Sequence, residues 1–310
     1  MKTLIGFVTF GNVEFTKLLV RGIRETANRP YELLAVIGKP GDTETHAWLS
    51  GQQIEIILHT ENHGFPASVN DLYDAAFTHG GFDCLIIAGN DVVPYSGAID
   101  AMIGLAAEGE WDWICASQFD SKSLIARYPE ARPFFTGPAL EFRDFAARPW
   151  ELHEPARLAE LASGRDIIER DCIKDVRNLC LFTRRSFEQV GYADANFWPG
   201  GYFEDNDYCR RALLAGVKAC GLPRAAYFHF WSRTIHQGGG GAANDRHFGM
   251  NAKFYADKWG GNFGAELWRT PFDGREFTLG PRLDLTPETA IRGRLLEPAV
   301  IAHWRGRGAC

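Results

Sequence analysis

Residues 200–216, GGYFEDNDYCRRALLAG, set four carboxyl or carboxamide side chains in a row behind two glycines and two aromatics. Glu204, Asp205, Asn206 and Asp207 run straight into a segment with helical spacing. Acids at the mouth of a helix have two uses. They cap or complement its free N–H groups, or one of them takes a proton from a substrate. Cys209, Ala212 and Leu213 recur at i, i+3, i+4 and turn one face inward. Such packing would hold Asp205 rigidly, as a base must be held. The helix dipole favours the ionised carboxylate by ~0.3–1 kcal/mol. Both uses stay open for Glu204 and Asp205 on these grounds alone. Asn206 and Asp207 are expected to be first-turn caps.

Another acid follows a fully apolar run. LIIAGNDVVP places Asp91 where a buried strand would end, beside Asn90. Ligands of open α/β sheets sit at such strand ends. Asp91 would suit a divalent metal, a hard cation that prefers oxygen ligands and substrate phosphates. It would equally suit a turn, since Asn-Asp pairs favour turns. His229, in AAYFHFW, is either a packed core histidine or a ligand. Trp198, Tyr202 and Phe203 are either core or an aromatic face for a ligand. Arg233 and His236 lie in SRTIHQGGGGAAND, a glycine-rich loop that either closes over a ligand or stays in solvent.

The elements that must position these residues follow from periodicity. KTLIGFVTF, YELLAVIG, IEIILH, FDCLIIAG and DWICAS read as strands. EFTKLLVRGIRETA, PASVNDLYDAAFTHG and SGAIDAMIGLAAEG read as helices between them. Alternation of this kind means a mostly parallel sheet covered on both faces. Residues 118–175 break the pattern, with one expected helix at EPARLAELASG. VRNLCLFTRRSFEQVG then resumes as strand and helix. GVKACGL and AAYFHFW read as two short strands, and DRHFGMNAKFYADKWGG as a helix. No GxGxxG follows a strand and no GxxxxGK[ST] occurs, which argues against a dinucleotide fold of the usual kind and excludes a P-loop.

The order of these motifs resembles a family 2 glycosyltransferase of bacterial or phage type. The likeness rests on GND, NLCLFTRRSFEQVGYADANF, EDNDYCRRALLAG and the later histidine. ENHGFPASVN is similar to the family's N-x-G segment, and FYADKWGG followed by PF to its tail. The resemblance covers roughly residues 3–118 and 176–272. It implies an α/β, GT-A, Rossmann-like fold: a mostly parallel central sheet flanked by helices, with a C-terminal extension. The domain would span 1–272: a nucleotide-binding half at 1–117, an insertion or acceptor-side region at 118–175, and an acceptor and catalytic half at 176–272. Residues 273–310 would form the tail.

The resemblance also implies roles. Asp91 matches the last acid of the D-x-D motif that binds Mn2+ or Mg2+ on the nucleotide diphosphate, and His229 the histidine that completes that site. Asp205 matches the base and Glu204 its acceptor-orienting neighbour. Thr9, Phe10 and Asn12 match the nucleoside-binding turn after the first strand, and Asn62 and Gly64 the segment along the nucleotide. Gly38, Asn90 and Arg233 join them as candidate donor contacts. The expected activity is inverting transfer from a nucleotide-sugar, UDP-sugar by default, to a hydroxyl of a glycan, lipid-linked sugar or small molecule. Two departures stand out. Gly89 occupies the place of the first D-x-D acid, and VIGKPGD lacks the acid that many members use to read the base; Asp42 is nearby but displaced.

Composition bounds the alternatives. The 310 residues carry a formal charge of −6, which argues against broad phosphate-backbone binding. That weighs against a phage-type enzyme acting on a hydroxymethylated DNA base, for which Arg292, Arg294, Arg305 and Arg307 would speak. A non-catalytic nucleotide-sugar binder fits Gly89 but not the intact acids. A nucleotidyltransferase would want two metal carboxylates where the strand end offers one. No apolar run reaches the roughly 20 residues of a bilayer span, and the N-terminal run is too short for a signal peptide. A cytoplasmic protein is expected. Seven cysteines without a CxxC read as buried free thiols.

Overall fold

The computed structural model describes residues 1–119, 168–169, 178–197, 202–230 and 241–275. The first half alternates as the apolar runs dictate. β1 (Thr3–Thr9), α1 (Val13–Thr26), β2 (Glu32–Ile37), α2 (Thr43–Gly51), β3 (Glu55–Leu58) and α3 (Phe65–Tyr73) follow in order. A π-helical turn, Asp74–His79, prolongs α3. Then come β4 (Cys84–Gly89), β5 (Val92–Pro94), α4 (Ala98–Ala107) and β6 (Trp113–Phe119). The second half adds β7 (Ile168–Glu169), β8 (Leu179–Thr183), α5 (Arg184–Val190), α6 (Glu204–Leu214), β9 (Ala219–His229) and α7 (Gly241–Trp259).

Among the described residues these strands form one sheet in the order β3-β2-β1-β4-β8-β6-β9-β5, with β7 on β9. β1 is parallel to β2 and β4, and β2 to β3. β8 is antiparallel to both β4 and β6, so those two share a direction. β9 is parallel to β6. Six strands therefore point one way, and β5, β7 and β8 run against them. The mostly parallel α/β sheet expected from the sequence is present.

Helices cover both faces. Leu19 and Ile23 of α1, Leu49 of α2 and Met102 of α4 pack on one face. Leu72 of α3 and Tyr208, Cys209 and Ala212 of α6 pack on the other. The contact on β1 is close: a Cβ on Gly6 would lie 2.7 Å from Leu72 Cδ2, so the leucine side chain would have to shift to admit it. No described helix is long and apolar enough to cross a membrane.

Four local expectations change. GVKACGL and AAYFHFW form one strand, β9, whose register with β6 jumps from Ala116↔Leu222 to Ser117↔Ala226. Pro223, which cannot donate to a ladder, sits in that irregularity rather than ending the strand. α2 forms just past KPGD, where Asp42 caps it by accepting from Thr45 N at 3.2 Å. β5 is a further short strand. Leu213 faces outward, because α7 covers the flank of α6 that carries Asp207, Arg210 and Leu214. The expected helix at EPARLAELASG and the tail beyond Arg275 lie outside the described residues, as does nearly all of 118–175.

Asp207 is not a cap. Phe203 holds the N-cap position of α6 and makes no side-chain cap bond, while Asp205 Oδ1 accepts from the first-turn N–H of Asn206. Asp207 is wholly buried and clamps α6 to α7. Trp259 Nε1 donates to its Oδ1 at 2.9 Å, Lys258 Nζ lies 2.7 Å from the same atom, and Arg211 Nε donates to Oδ2 at 2.9 Å. Lys258 also reaches Asp194 at 2.6 Å, which fastens the approach to α6. Breaking such a buried network by removing one partner typically costs about 3–5 kcal/mol. Asp207→Ala is expected to lose that much in urea unfolding, whereas Asn206→Ala should stay within about 0.5 kcal/mol of wild type.

Candidate active site at the carboxyl edge of the sheet

The six co-directional strands end at one edge. β4 ends at Gly89, and the chain turns at once into β5, which pairs antiparallel with the end of β9 through Val92↔His229. Phe230 N donates to Asp91 O at 3.0 Å and locks the turn to the strand. His229 Nε2 thereby comes within 3.3 Å of Asp91 Oδ1, and both residues are under 9% exposed. The Asn178 amide nitrogen lies 3.2 Å from His229 Nδ1. A carboxamide can present donor or acceptor by flipping, so Asn178 serves either imidazole tautomer. Tyr227 OH donates to Gln118 Oε1 at 2.8 Å and accepts from Asn178 N at 2.9 Å. Sequence reasoning missed Asn178, Gln118 and Tyr227. Their convergence needs β8 to run backwards between β4 and β6, which no local pattern announces.

Asp91 and His229 are the expected metal pair, and the structure brings them together. Two donors 3.3 Å apart are close to the separation of neighbouring ligands in an octahedral shell with bonds of about 2.1 Å. Among the described residues there is no cluster of three His, Cys, Asp or Glu side chains able to hold a metal. The donor set thus fits an Mg2+- or Mn2+-like ion that takes its other ligands from phosphate and water. Asn90 is buried beside Asp91. A Cβ on Gly89 would make ordinary contacts of 3.4 Å with Asp91 Oδ1 and Asn178 Cβ.

The other donor-side candidates line the same edge farther along. Thr9 ends β1 fully buried, and its hydroxyl donates to Gly11 O at 3.1 Å. It shapes the turn from inside. Phe10 follows, 41% exposed. Gly11 and Asn12 take positive φ, so Asn12 enters α1 left-handed and makes no side-chain cap bond. Gly38 N donates to Thr9 O at 2.9 Å, and a Cβ there would meet Ser68 Oγ at 3.2 Å and Phe10 Cδ2 at 3.6 Å. Asn62 Oδ1 accepts from Gly64 N at 2.9 Å and sets the turn into α3. Where an acid was sought after β2 stands Lys39, with its ammonium 3.4 Å from the space above Gly11. Asp42 is spent on capping α2. Trp198, Arg233 and His236 lie outside the described residues.

Glu204 and Asp205 open α6. That helix hands the chain to the start of β9 at the opposite edge, so its first turn lies toward the carboxyl edge. Tyr202 and Phe203 enter it with φ of 75° and 66°, a left-handed conformation that aromatic residues rarely adopt. Glu204 is buried, and among the described residues its Oε2 has no hydrogen-bond partner. Burial, then the charges of Asp205 and Asp207, push its carboxyl well above the usual range. Burial also raises Asp205, while the N–H of Asn206, 2.7 Å from Oδ1, pulls it partly back. The dipole argument from sequence expected Asp205 to be held in its ionised form; desolvation wins instead. Both carboxyls stand above the usual carboxylate range, and acids this close do not ionise independently.

No protein-family model matches the chain, and no curated protein sequence matches it. Solved structures do. S. aureus TarS, residues 1–349, superposes with a TM-score of 0.52 at 10% identity, over 83% of this chain and 72% of that one. TarS 1–349 in complex with UDP gives 0.50 at 11%, over 81% and 65%. The mannosyltransferase PcManGT from Pyrobaculum calidifontis, in complex with GDP-Man and Mn2+, gives 0.51 at 12%, over 81% and 63%. The chain therefore spans about two thirds of these proteins. At such identities the likeness is one of fold, and it matches the α/β, Rossmann-like architecture described above.

Glu204 yields a pH signature. A carboxyl whose pKa is raised by folding contributes stability below its unfolded value, near about 4.3, and loses it as pH rises through the folded value. Wild type should lose thermal stability over that window. Glu204→Gln, which cannot ionise, should lose less, so its melting temperature relative to wild type should climb with pH. A constant difference across the window would contradict the assignment.

Proposed function

We propose that this chain is a glycosyltransferase that moves a sugar, with inversion, from a nucleotide-diphosphate sugar to an acceptor hydroxyl. The observation that carries the reading is the division of the carboxyl edge. One part holds a carboxylate–imidazole pair, Asp91 and His229, at metal-ligand spacing. Another presents two acids with raised pKa at the mouth of α6. The fold shared with a GDP-Man- and Mn2+-bound mannosyltransferase and with UDP-bound TarS supports it. UDP is the first donor nucleotide to test, and GDP the second.

The chemistry follows from the residues. Phe10, Gly38, Asn62 and Gly64 form the wall along which the nucleoside lies, and Lys39 adds a positive charge beside the turn into α1. Asp91 and His229 would hold Mn2+ or Mg2+, which supplies positive charge to the leaving diphosphate. Asn178 fixes the His229 ring from behind. Asp205 takes the proton of the acceptor hydroxyl as it attacks the anomeric carbon, on the face opposite the departing diphosphate. Glu204, protonated, donates a hydrogen bond that orients the acceptor. A modified DNA base as acceptor has no support among the described residues, since its basic cluster lies outside them.

Asp205→Asn is expected to lower transfer by about 10²–10⁴-fold, the usual worth of a general base, while nucleotide-sugar affinity stays near wild type. Equal loss of donor binding would make Asp205 a structural residue. Asp91→Ala should abolish the gain in nucleotide affinity on adding Mn2+. Titration of the nucleotide into each variant, with Mn2+ or chelator, and a radiolabelled-sugar release assay separate these outcomes.

A further inference from the structure

β6 and β8 pair through Trp113↔Phe182, Ile114↔Leu181 and Cys115↔Cys180. The last pair sets two thiols face to face, with Cys180 S–H directed at Cys115 Sγ over 3.5 Å. Opposed residues on antiparallel strands have Cα atoms about 4.5–5.5 Å apart. A disulfide spans Cα separations of about 4.4–6.8 Å. The opposed register and the 3.5 Å between the sulfurs place the pair within the range a disulfide bridges.

The position of the pair matters as much as its geometry. Beyond Cys115, β6 leaves β8 and shifts register against β9 between Ala116 and Ser117. Two residues before Cys180 stands Asn178, which contacts His229. Gln118, Tyr227 and Asn178 are hydrogen-bonded in series just beyond the thiols. Cys84, by contrast, faces the Thr3 hydroxyl at 3.2 Å, and burial pushes its thiol up to about 11.

We propose that Cys115 and Cys180 are an oxidisable pair that closes to a cross-strand disulfide with hydrogen peroxide as oxidant. Cys115 reacts first, being 7% exposed against 2% for Cys180. Its sulfur attacks a peroxide oxygen, the O–O bond breaks, one water leaves and a sulfenic acid forms. The Cys180 sulfur then attacks the Cys115 sulfur, the S–O bond breaks and a second water leaves. Two thiols lose two electrons and two protons, and the peroxide is reduced to two waters. A dithiol reverses the bond by exchange. The crosslink pins Asn178 beneath His229 and closes a loop between residues 65 positions apart.

The test uses the full chain carrying Cys172→Ser and Cys310→Ser, so that cysteines outside the described residues cannot compete. After brief peroxide treatment the protein is denatured, alkylated and digested without reductant. The expected product is a linked Cys115–Cys180 peptide pair, formed before Cys84, Cys209 or Cys220 is oxidised. Loop closure of this length should raise the melting temperature by about 5–10 °C, reversibly with dithiothreitol and not in Cys115→Ser. If Cys115→Ser does not fold, the peptide map and the dithiothreitol reversal decide. Recovery of both cysteines alkylated, or of Cys115 as sulfinic acid without a link, overturns the proposal.

Discussion

The site depends on one strand pairing. β5 is three residues long, yet its register with β9 decides whether Asp91 meets His229. A slip of one residue would turn every side chain of the short strand to the other face and break the contact between carboxylate and imidazole. The bond from Phe230 N to Asp91 O holds the register on one side. On the other, the reversed strand β8 brings Asn178 up to the imidazole, and Gly89 N donates to Asn178 O at 2.8 Å. Paired strands thus carry the two putting-together steps that a loop would do less rigidly.

The acids of α6 are positioned differently. Their helix packs inward through Tyr208, Cys209 and Ala212, and sideways onto α7 through the buried charges around Asp207. The charges of Asp207 are satisfied below, while among the described residues Glu204 Oε2 has no hydrogen-bond partner and Asp205 accepts from Asn206 N. The same burial raises both carboxyls. Strain gathers here too: consecutive left-handed aromatics cost on the order of 1–3 kcal/mol each, and they sit at the entrance to the acids. Stability is surrendered at the point where chemistry is proposed and recovered one turn later.

Much of this was legible in the sequence. The long apolar strands β1, β2 and β4 and the amphipathic α1 declared themselves, and so did the edge that carries Asp91. The acids of α6 were found by type and spacing. What stayed hidden was non-local. β5 is too short for periodicity and exists because β9 pairs with it. GVKACGL and AAYFHFW read as two strands, and only the pairing with β6 shows one strand that shifts register around Pro223. Asp207 looked like a cap, since its partners Lys258 and Trp259 lie some fifty residues on. Asn178 precedes an ordinary apolar strand, and only the antiparallel insertion of that strand gives it a place at the site.

The central claim is a donor site for a nucleoside diphosphate at the carboxyl edge, assembled around Asp91 and His229. Calorimetric titration of the wild-type chain with UDP, GDP, CDP, dTDP and ADP, each with Mn2+ and with EDTA, tests it most directly. The account predicts that one diphosphate binds, and that EDTA weakens it sharply. A folded chain that binds none of the five would contradict it, and the carboxylates at the mouth of α6 would then be left without a substrate to deprotonate.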